Sequence, residues 1–232
     1  MVIIFENMKE NFIHVCFIID SSGSMFGSES DVIGGFSRVI NEQKANKNGS
    51  CVVSVIDFNT TPEIVYLGKD VSEIDPNFNY VVGGGTALLD AIGLGITKVH
   101  DYNMSLAKVD QPEKTMVVIM TDGGENCSRN YGSKTIKDKI SEMETEFGWS
   151  FVYLGSDLTN VVDADSLGIT IRGVSTKQSM GSNYDIINST VTCFRSANGD
   201  TASKFATMNM VLNEEVSALN KEYSTTTGIN IE

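Results

Sequence analysis

An apolar segment that leads directly into a group of oxygen-bearing side chains is the feature that most constrains this chain. Residues 15–19 are apolar, rich in β-branched side chains and without polar alternation, which is typical of a strand buried on both faces of a parallel sheet. Asp20, Ser22 and Ser24 follow at alternate positions. Gly23 between the two serines allows a tight loop. Because carboxylate and hydroxyl oxygens are ligands for Mg²⁺ and Ca²⁺, the segment predicts a cation site at a strand end.

A second polar loop opens a predicted amphipathic helix. Three successive glycines precede Thr86, and the helix after it places Leu88, Ile92, Ile96 and Val99 on one face. A Thr at this position most often caps the helix by accepting a backbone hydrogen bond. Alternatively, the glycines let the hydroxyl approach a ligand closely, and both interpretations stay open. The loop is not a nucleotide phosphate loop, because no Gly-Lys-Ser/Thr follows.

A third polar loop follows the buried strand predicted at residues 114–121. Asp122 and Gly123 stand at its end. The ligand crevice of an open α/β sheet lies at the carboxyl edge of the strands, so Asp122 and Asp20 are expected to be neighbours. Taken alone, Asp122-Gly123 would favour a plain turn. Glu125 and Asn126 add oxygen donors nearby; we expect Glu125 to face solvent, with competition for the cation as the alternative.

Strand and helix patterns alternate through most of the chain, which predicts a doubly wound α/β fold with a mostly parallel central sheet and helices on both faces. Residues 63–67 follow the strand at 51–58 after a link too short for a helical crossover. We therefore expect one antiparallel edge strand there, followed by a loop at 68–82. Further strands are predicted at 149–155 and 169–172, with a short helix at 158–167 between them.

Residues 20–24 (Asp-Ser-Ser-Gly-Ser), 84–88 (Gly-Gly-Thr-Ala-Leu) and 120–123 (Met-Thr-Asp-Gly) together resemble the metal-ion-dependent adhesion site (MIDAS) of the von Willebrand factor A (VWA) domain family. That signature is Asp-x-Ser-x-Ser followed by a distant Thr and a distant Asp. The resemblance covers residues 13–195 and implies a Rossmann-like fold. It also implies five metal ligands. Ser22 and Ser24 would coordinate directly, whereas Asp20, Thr86 and Asp122 would coordinate directly or through water.

The resemblance implies a function as well as a fold. The expected cofactor is Mg²⁺, with Mn²⁺ or Ca²⁺ as alternatives, and the neutral hydroxyl ligands would leave the cation an open position for an external acid. A Glu or Asp of a partner protein would fill that position. We therefore expect an intracellular, non-enzymatic, metal-dependent protein-binding module whose partner is, for example, an ATPase or an assembly factor.

An enzyme is the competing hypothesis. The same edge would suit a Mg²⁺-dependent phosphoryl transferase or hydrolase with Asp20 as nucleophile. That chemistry generally needs a second acid or base and a Lys or Arg for phosphate, and Ser22 stands where such enzymes usually place an Asp. His14 and His100 open a strand and end a helix, so no Ser/His/Asp or Cys/His set can be assembled from them.

The composition of the chain limits the classes of partner and the compartment that can be expected. The chain has 17 Lys and Arg against 30 Asp and Glu, a formal charge of −13, which argues against non-specific nucleic-acid binding. No apolar run approaches the roughly 18–20 residues that span a bilayer, and no secretory signal is recognisable. The four cysteines are far apart, which favours reduced thiols. These observations predict a cytoplasmic protein that binds neither membrane nor nucleic acid.

The chain is expected to contain one domain with short extensions. Residues 1–12 are interpreted as a lead-in, 13–195 as the VWA-like domain, and 196–232 as a C-terminal helical extension with a mobile tail from Ser224. The apolar spacing of Phe205, Met208, Leu212 and Leu219 predicts a helix in the extension. This stripe is expected to dock on the domain's own core, with partner binding as the alternative.

Overall fold

The computed structural model describes residues 9–156, 164–175 and 180–230, and these form a six-stranded sheet in the order β3-β2-β1-β4-β5-β6. The strands are β1 (Lys9–Asp20), β2 (Ser50–Phe58), β3 (Pro62–Asp70), β4 (Pro112–Thr121), β5 (Ser150–Gly155) and β6 (Ile171–Val174). All neighbouring pairs are parallel except β2 and β3. The predicted fold class, including its antiparallel edge strand, is confirmed.

Helices cover both faces of the sheet. They are α1 (Glu29–Ala45), α2 (Leu88–Ser105), α3 (Ser133–Phe147), α4 (Met180–Ser196) and α5 (Thr201–Thr227). Alternate residues of β1 point to opposite faces, as the strand period of two requires. Val15 and Phe17 pack with α1, α4 and α5, whereas Cys16 and Ile18 pack with α2 and α3. This two-sided burial is why β1 has no polar alternation.

The edge strand β3 is longer than the sequence indicates. It runs to Asp70 and is followed by a single 3-10 turn, so the loop expected at residues 68–82 begins later than predicted. Its register with β2 shifts twice, between Val53 and Val55 and between Val55 and Ile56. Strand β6 is also displaced from the predicted 169–172. Of the predicted helix at 158–167, residues 158–163 lie outside the described part, and residues 164–166 are helical.

Both ends of the chain differ from the predicted extensions. Residues 9–12 belong to β1, so part of the expected lead-in is sheet; residues 1–8 lie outside the described part. At the other end, Ser224 lies inside α5, which corrects the expectation of a mobile tail there. Met208, Leu212 and Leu219 of α5 are buried in the same core as α1 and α4. The apolar stripe therefore docks on the domain itself.

Helices α1 and α4 are joined by close packing and by the buried guanidinium group of one arginine. The ring of Tyr184 on α4 lies directly over Gly35 of α1. Arg195 of α4 donates hydrogen bonds to the main-chain oxygens of Gln43, Asn46 and Asn48 at 2.7, 2.8 and 2.9 Å. Gln43 lies in the last turn of α1 and the other two residues follow the helix, so the guanidinium group satisfies carbonyls that the helix itself leaves open.

No helix among the described residues is both long and apolar enough to cross a membrane. All four cysteines are free thiols, with Cys16 and Cys51 buried in β1 and β2. Burial raises the pKa of each of these two thiols to about 12, so they are inert core side chains.

Candidate metal centre

The loop after β1 folds its oxygens around the end of the strand. Asp20 is fully buried; one of its carboxylate oxygens accepts the Ser22 N–H at 2.7 Å and the other accepts the Thr121 hydroxyl at 2.5 Å. The hydroxyl oxygens of Ser22 and Ser24 lie 3.0 Å apart. The chain then makes one 3-10 turn, Gly23–Met25, before α1 begins. The carboxylate is thus held rigidly, and both serine oxygens lie beside it.

Gly123 is the point at which the three predicted loops converge. A methyl group placed on Gly123 would lie 2.8 Å from the Ser24 hydroxyl oxygen, 3.1 Å from that of Thr86 and 3.6 Å from Asp20 Oδ2. One small position beside β4 is therefore surrounded by oxygens from the β1 loop and from the loop before α2. Any side chain at residue 123 would fill it, so this arrangement requires glycine.

Asp122 completes the predicted set at the end of β4. It is buried, with 6% of its surface exposed. Burial raises the pKa of Asp20 above its ordinary value and the charge of Asp122 acts in the same direction, whereas hydrogen bonds from Thr121 and Ser22 lower it. Two buried carboxylates that repel one another form a site that a cation would stabilise. The structure thus brings all five predicted residues to one edge of the sheet.

Thr86 is held by the loop that follows Asp122. Its N–H donates to the Asn126 side-chain oxygen at 2.9 Å, and its carbonyl accepts the Asn126 N–H at 3.1 Å. Helix α2 starts at Leu88 with Ala87 at the capping position and no side-chain cap. The interpretation of Thr86 as a helix cap is therefore wrong. Its hydroxyl oxygen instead lies beside Gly123, at the same small position that the Ser24 hydroxyl oxygen adjoins, which suits a ligand role.

Glu125 does not face solvent as expected. Its carboxylate accepts the N–H groups of Leu89, Cys127 and Ser128 at 2.9, 2.9 and 2.7 Å. It also accepts the Ser128 hydroxyl at 2.6 Å. Glu125 thus satisfies an open N–H of the first turn of α2, where a negative charge is favourable. Sequence reasoning missed this role, since the partner Leu89 lies 36 residues earlier in the chain.

Replacing Glu125 with Gln is expected to destabilise the fold by about 2 kcal/mol, because the amide nitrogen would face backbone N–H donors in place of an acceptor. Affinity for Mg²⁺ should stay within about threefold. Urea unfolding and metal titration by calorimetry check the two effects. Glu142→Gln on the exposed side of α3 is the control and should change stability by less than about 0.5 kcal/mol. A large loss of metal affinity without loss of stability would instead make Glu125 a ligand.

Tyr80 supports the site from the side. Its hydroxyl donates to the main-chain carbonyl of Asp20. The ring ends a series of edge-to-face aromatic contacts that runs from Phe17 through Phe36 and Phe78, with centroid distances of 5.3, 5.3 and 6.0 Å. The loop containing Tyr80 is therefore anchored to the core. The only sequence signal for this was the aromatic pair at positions 78 and 80.

Neither of the two histidines contributes a side chain to the candidate metal centre. His14 is buried, with its ring nitrogens 2.7 Å from Asn103 Oδ1 and 2.8 Å from Ser54 Oγ, and burial lowers its pKa to about 4. His100 lies on α2 against Phe147. Within the described ranges, no group of three or more His, Cys, Asp or Glu side chains could hold a metal. The candidate site differs from such clusters, because most of its donors are hydroxyls.

The fold and this edge define a Rossmann-like α/β domain with a carboxylate and hydroxyl site at the carboxyl ends of its central strands. The fold is that of von Willebrand factor type A domains, as solved structures demonstrate. The vWF domain of the type V pili tip protein Mfa5 from Porphyromonas gingivalis superposes with a TM-score of 0.60 at 11% identity, covering 84% of this chain and 99% of that one.

Two further structures give the same result over part of their length. A von Willebrand factor type A protein from Catenulispora acidiphila matches with a TM-score of 0.52 at 13% identity, over 79% of this chain and 43% of that one. Proximal thread matrix protein 1 from the mussel byssus, with a zinc-occupied MIDAS motif, matches with a TM-score of 0.52 at 13% identity, over 80% of this chain and 47% of that one. No family model and no curated protein sequence matches the chain.

Proposed function

We propose that this protein is a metal-dependent protein-binding module of the MIDAS type. The observation that carries the proposal is the convergence of Asp20, Ser24 and Thr86 oxygens on one position beside Gly123. Ser22 and Asp122 adjoin it, so the proposed ligands are Asp20, Ser22, Ser24, Thr86 and Asp122. A buried pair of carboxylates with three hydroxyls fits a divalent cation, which would supply an electron-poor centre for an external oxygen ligand.

Mg²⁺ is the proposed ion. The donors are all oxygen and include only two carboxylates, and hard cations such as Mg²⁺ accept this set. Zinc prefers imidazole and thiolate ligands in proteins, although the mussel protein carries zinc in its MIDAS motif. Mn²⁺ and Ca²⁺ are the alternatives. A partner's Glu or Asp side chain is proposed as the external ligand, because neutral hydroxyls are weaker donors than carboxylates and leave the cation a position for a further anionic oxygen.

We propose binding in preference to catalysis. A nucleophilic Asp20 would need a carboxylate oxygen free to attack a substrate. Instead, both oxygens of Asp20 accept hydrogen bonds and the side chain is fully buried. Each oxygen still has a second lone pair for a small cation, whereas a fully buried carboxylate is poorly accessible to a substrate. We also propose a reducing, intracellular compartment on the basis of the four free cysteines, with an ATPase or assembly factor as the kind of partner.

A carboxylate peptide tests the proposed function. In Mg²⁺, the full chain is expected to bind a synthetic Lys-Ala-Glu-Gly-Lys peptide at least tenfold more tightly than the peptide with Gln in place of Glu. A chelator should abolish the difference, since the external acid would bind through the ion. Titration followed by NMR measures both affinities. Equal binding of the two peptides to the metal-loaded chain would refute the proposal. Asp138→Asn on the exposed face of α3 is the control variant, and it should leave the difference between the two peptides unchanged.

A further inference from the structure

The two most exposed large apolar side chains among the described residues belong to the two loops that adjoin the candidate metal centre. Phe26 has 81% of its surface exposed and Val81 has 62%. Single exposed apolar residues are common and need no explanation. Here, however, the two highest values belong to the two loops that flank the same site, whereas the remaining exposed apolar residues are distributed over other parts of the fold.

The two loops are joined by hydrogen bonds. The Gly83 N–H donates to the Ser21 carbonyl at 2.8 Å, and the Gly23 N–H donates to the Gly84 carbonyl at 3.1 Å. Phe26 therefore lies three residues beyond one joined position, and Val81 lies two residues before the other. At about 3.8 Å per residue, both side chains are within roughly 12 Å of the loop that carries Ser22 and Ser24.

Neither side chain can easily turn inward. Next to Phe26, Met25 is fully buried in the core, so the turn is fixed with residue 26 outside. Next to Val81, Tyr80 is held by its hydrogen bond to the Asp20 carbonyl. Methyl groups placed on Gly27 and Gly83 would meet nothing within 4 Å, so open space adjoins both apolar residues. Phe26 and Val81, which we call the apolar rim, are therefore held in exposed positions at this edge of the sheet.

We propose that the apolar rim contacts the partner segment that carries the metal-binding acid, and that this segment has a large apolar side chain directly beside its Glu or Asp. The inference rests on the proposed function, which places an external carboxylate within the same edge. A carboxylate bound at this centre brings its sequence neighbours close to the two loops that carry Phe26 and Val81. Burial of that apolar surface would add affinity and would select among acidic segments.

Charge completes the description of the partner. The chain has a formal charge of −13, and Glu29 and Asp31 lie in the first turn of α1 just beyond Phe26. Additional acids in the partner would be repelled there, whereas basic residues would be attracted. The segment is therefore one with a single acid, an adjacent aromatic or aliphatic residue, and neutral or basic flanks.

Matched peptides test the apolar contact. With the full chain in saturating Mg²⁺, Lys-Phe-Glu-Gly-Lys is expected to bind at least fivefold more tightly than Lys-Ala-Glu-Gly-Lys. In the double variant Phe26→Ser with Val81→Ser, the advantage should fall below twofold while the Ala peptide keeps its affinity. Val109→Ser is the matched control: Val109 is 56% exposed on the turn that precedes β4, at the opposite edge of the sheet, and the fivefold advantage should persist.

The outcomes separate this inference from the proposed function. Equal affinities of the Phe and Ala peptides for the unsubstituted chain would overturn the apolar contact and leave metal-dependent carboxylate binding standing. If neither Glu peptide binds the Mg²⁺-loaded chain, the proposed function fails and the inference with it. If sedimentation shows a dimer that Phe26→Ser dissociates, a second copy of the chain covers the rim, which overturns the proposed partner.

Discussion

Asp20→Asn is expected to remove nearly all stabilisation of the fold by Mg²⁺. A ligand that binds only the folded state stabilises it by about 2.7 kcal/mol at a concentration one hundred times its Kd, so the unsubstituted chain should gain this amount. The variant replaces a charged oxygen of the proposed site with an amide nitrogen, which cannot bind a cation. We expect its Mg²⁺ affinity to fall by more than about 100-fold, or about 2.7 kcal/mol. Urea unfolding with Mg²⁺ and with chelator measures the difference.

Without metal, the same variant should be about as stable as the unsubstituted chain. The Asn oxygen can still accept the Ser22 N–H, and the amide nitrogen would face Thr121 Oγ1. The Thr121 hydroxyl can turn its hydrogen to the Gly123 carbonyl, 2.9 Å away, and accept from the amide instead. Replacing a buried charge with a neutral group costs little folding free energy when no buried polar group loses its hydrogen-bond partner. A variant that unfolds in chelator would show that Asp20 is needed for the fold itself.

Asp57→Asn is the control for the assignment of ligands. Asp57 lies next to Ile19 on the neighbouring strand β2, one strand away from the oxygens around Gly123. The Asp57→Asn variant should therefore retain its stabilisation by Mg²⁺ to within about 0.7 kcal/mol, which corresponds to a threefold change in affinity. A complete loss in Asp57→Asn would mean that the cation binds between β1 and β2, contrary to the proposed set.

The fold class was predictable because the strands buried on both faces carry their own signal. Residues 15–19 and 114–121 show no polar alternation, and the structure buries both segments between two layers of helix. The loops that follow these two strands could then be assigned to one edge, because parallel strands end on the same side. Topology thus placed Asp20 and Asp122 together, whereas the full set of five ligands was implied by the resemblance to the MIDAS signature and stays a prediction.

Element ends that depend on distant partners were not predictable. Strand β3 continues through Gly68, which has a positive φ of 58° and interrupts the local strand pattern, because pairing with β2 supplies the hydrogen bonds. Helix α5 continues through a Thr-rich end. There, Thr225 and Thr227 donate hydroxyl hydrogen bonds to carbonyls four residues earlier, and Tyr223 is buried. Local propensity argued against both continuations, and tertiary contacts decided them.

Gly35→Ala is expected to destabilise the fold by about 3 kcal/mol. A methyl group on Gly35 would lie 2.1 Å from the Tyr184 ring, well inside van der Waals contact, and Tyr184 is itself buried between α1, α4 and the sheet. Either the ring leaves its packed position or α4 moves away from α1. Overpacking of this kind typically costs 1–3 kcal/mol, and here the obstructing atoms are a ring without room to turn. Urea unfolding measures the loss.

The neighbouring residue Gly34 is a matched control in the same helix. A methyl group there would meet nothing within 4 Å, and the residue is exposed, so Gly34→Ala should instead stabilise the fold by up to about 1 kcal/mol through higher helix propensity. Opposite signs at adjacent glycines separate packing from propensity, since both substitutions change the helix equally. If both variants gain stability, helices α1 and α4 do not pack through Gly35 and Tyr184.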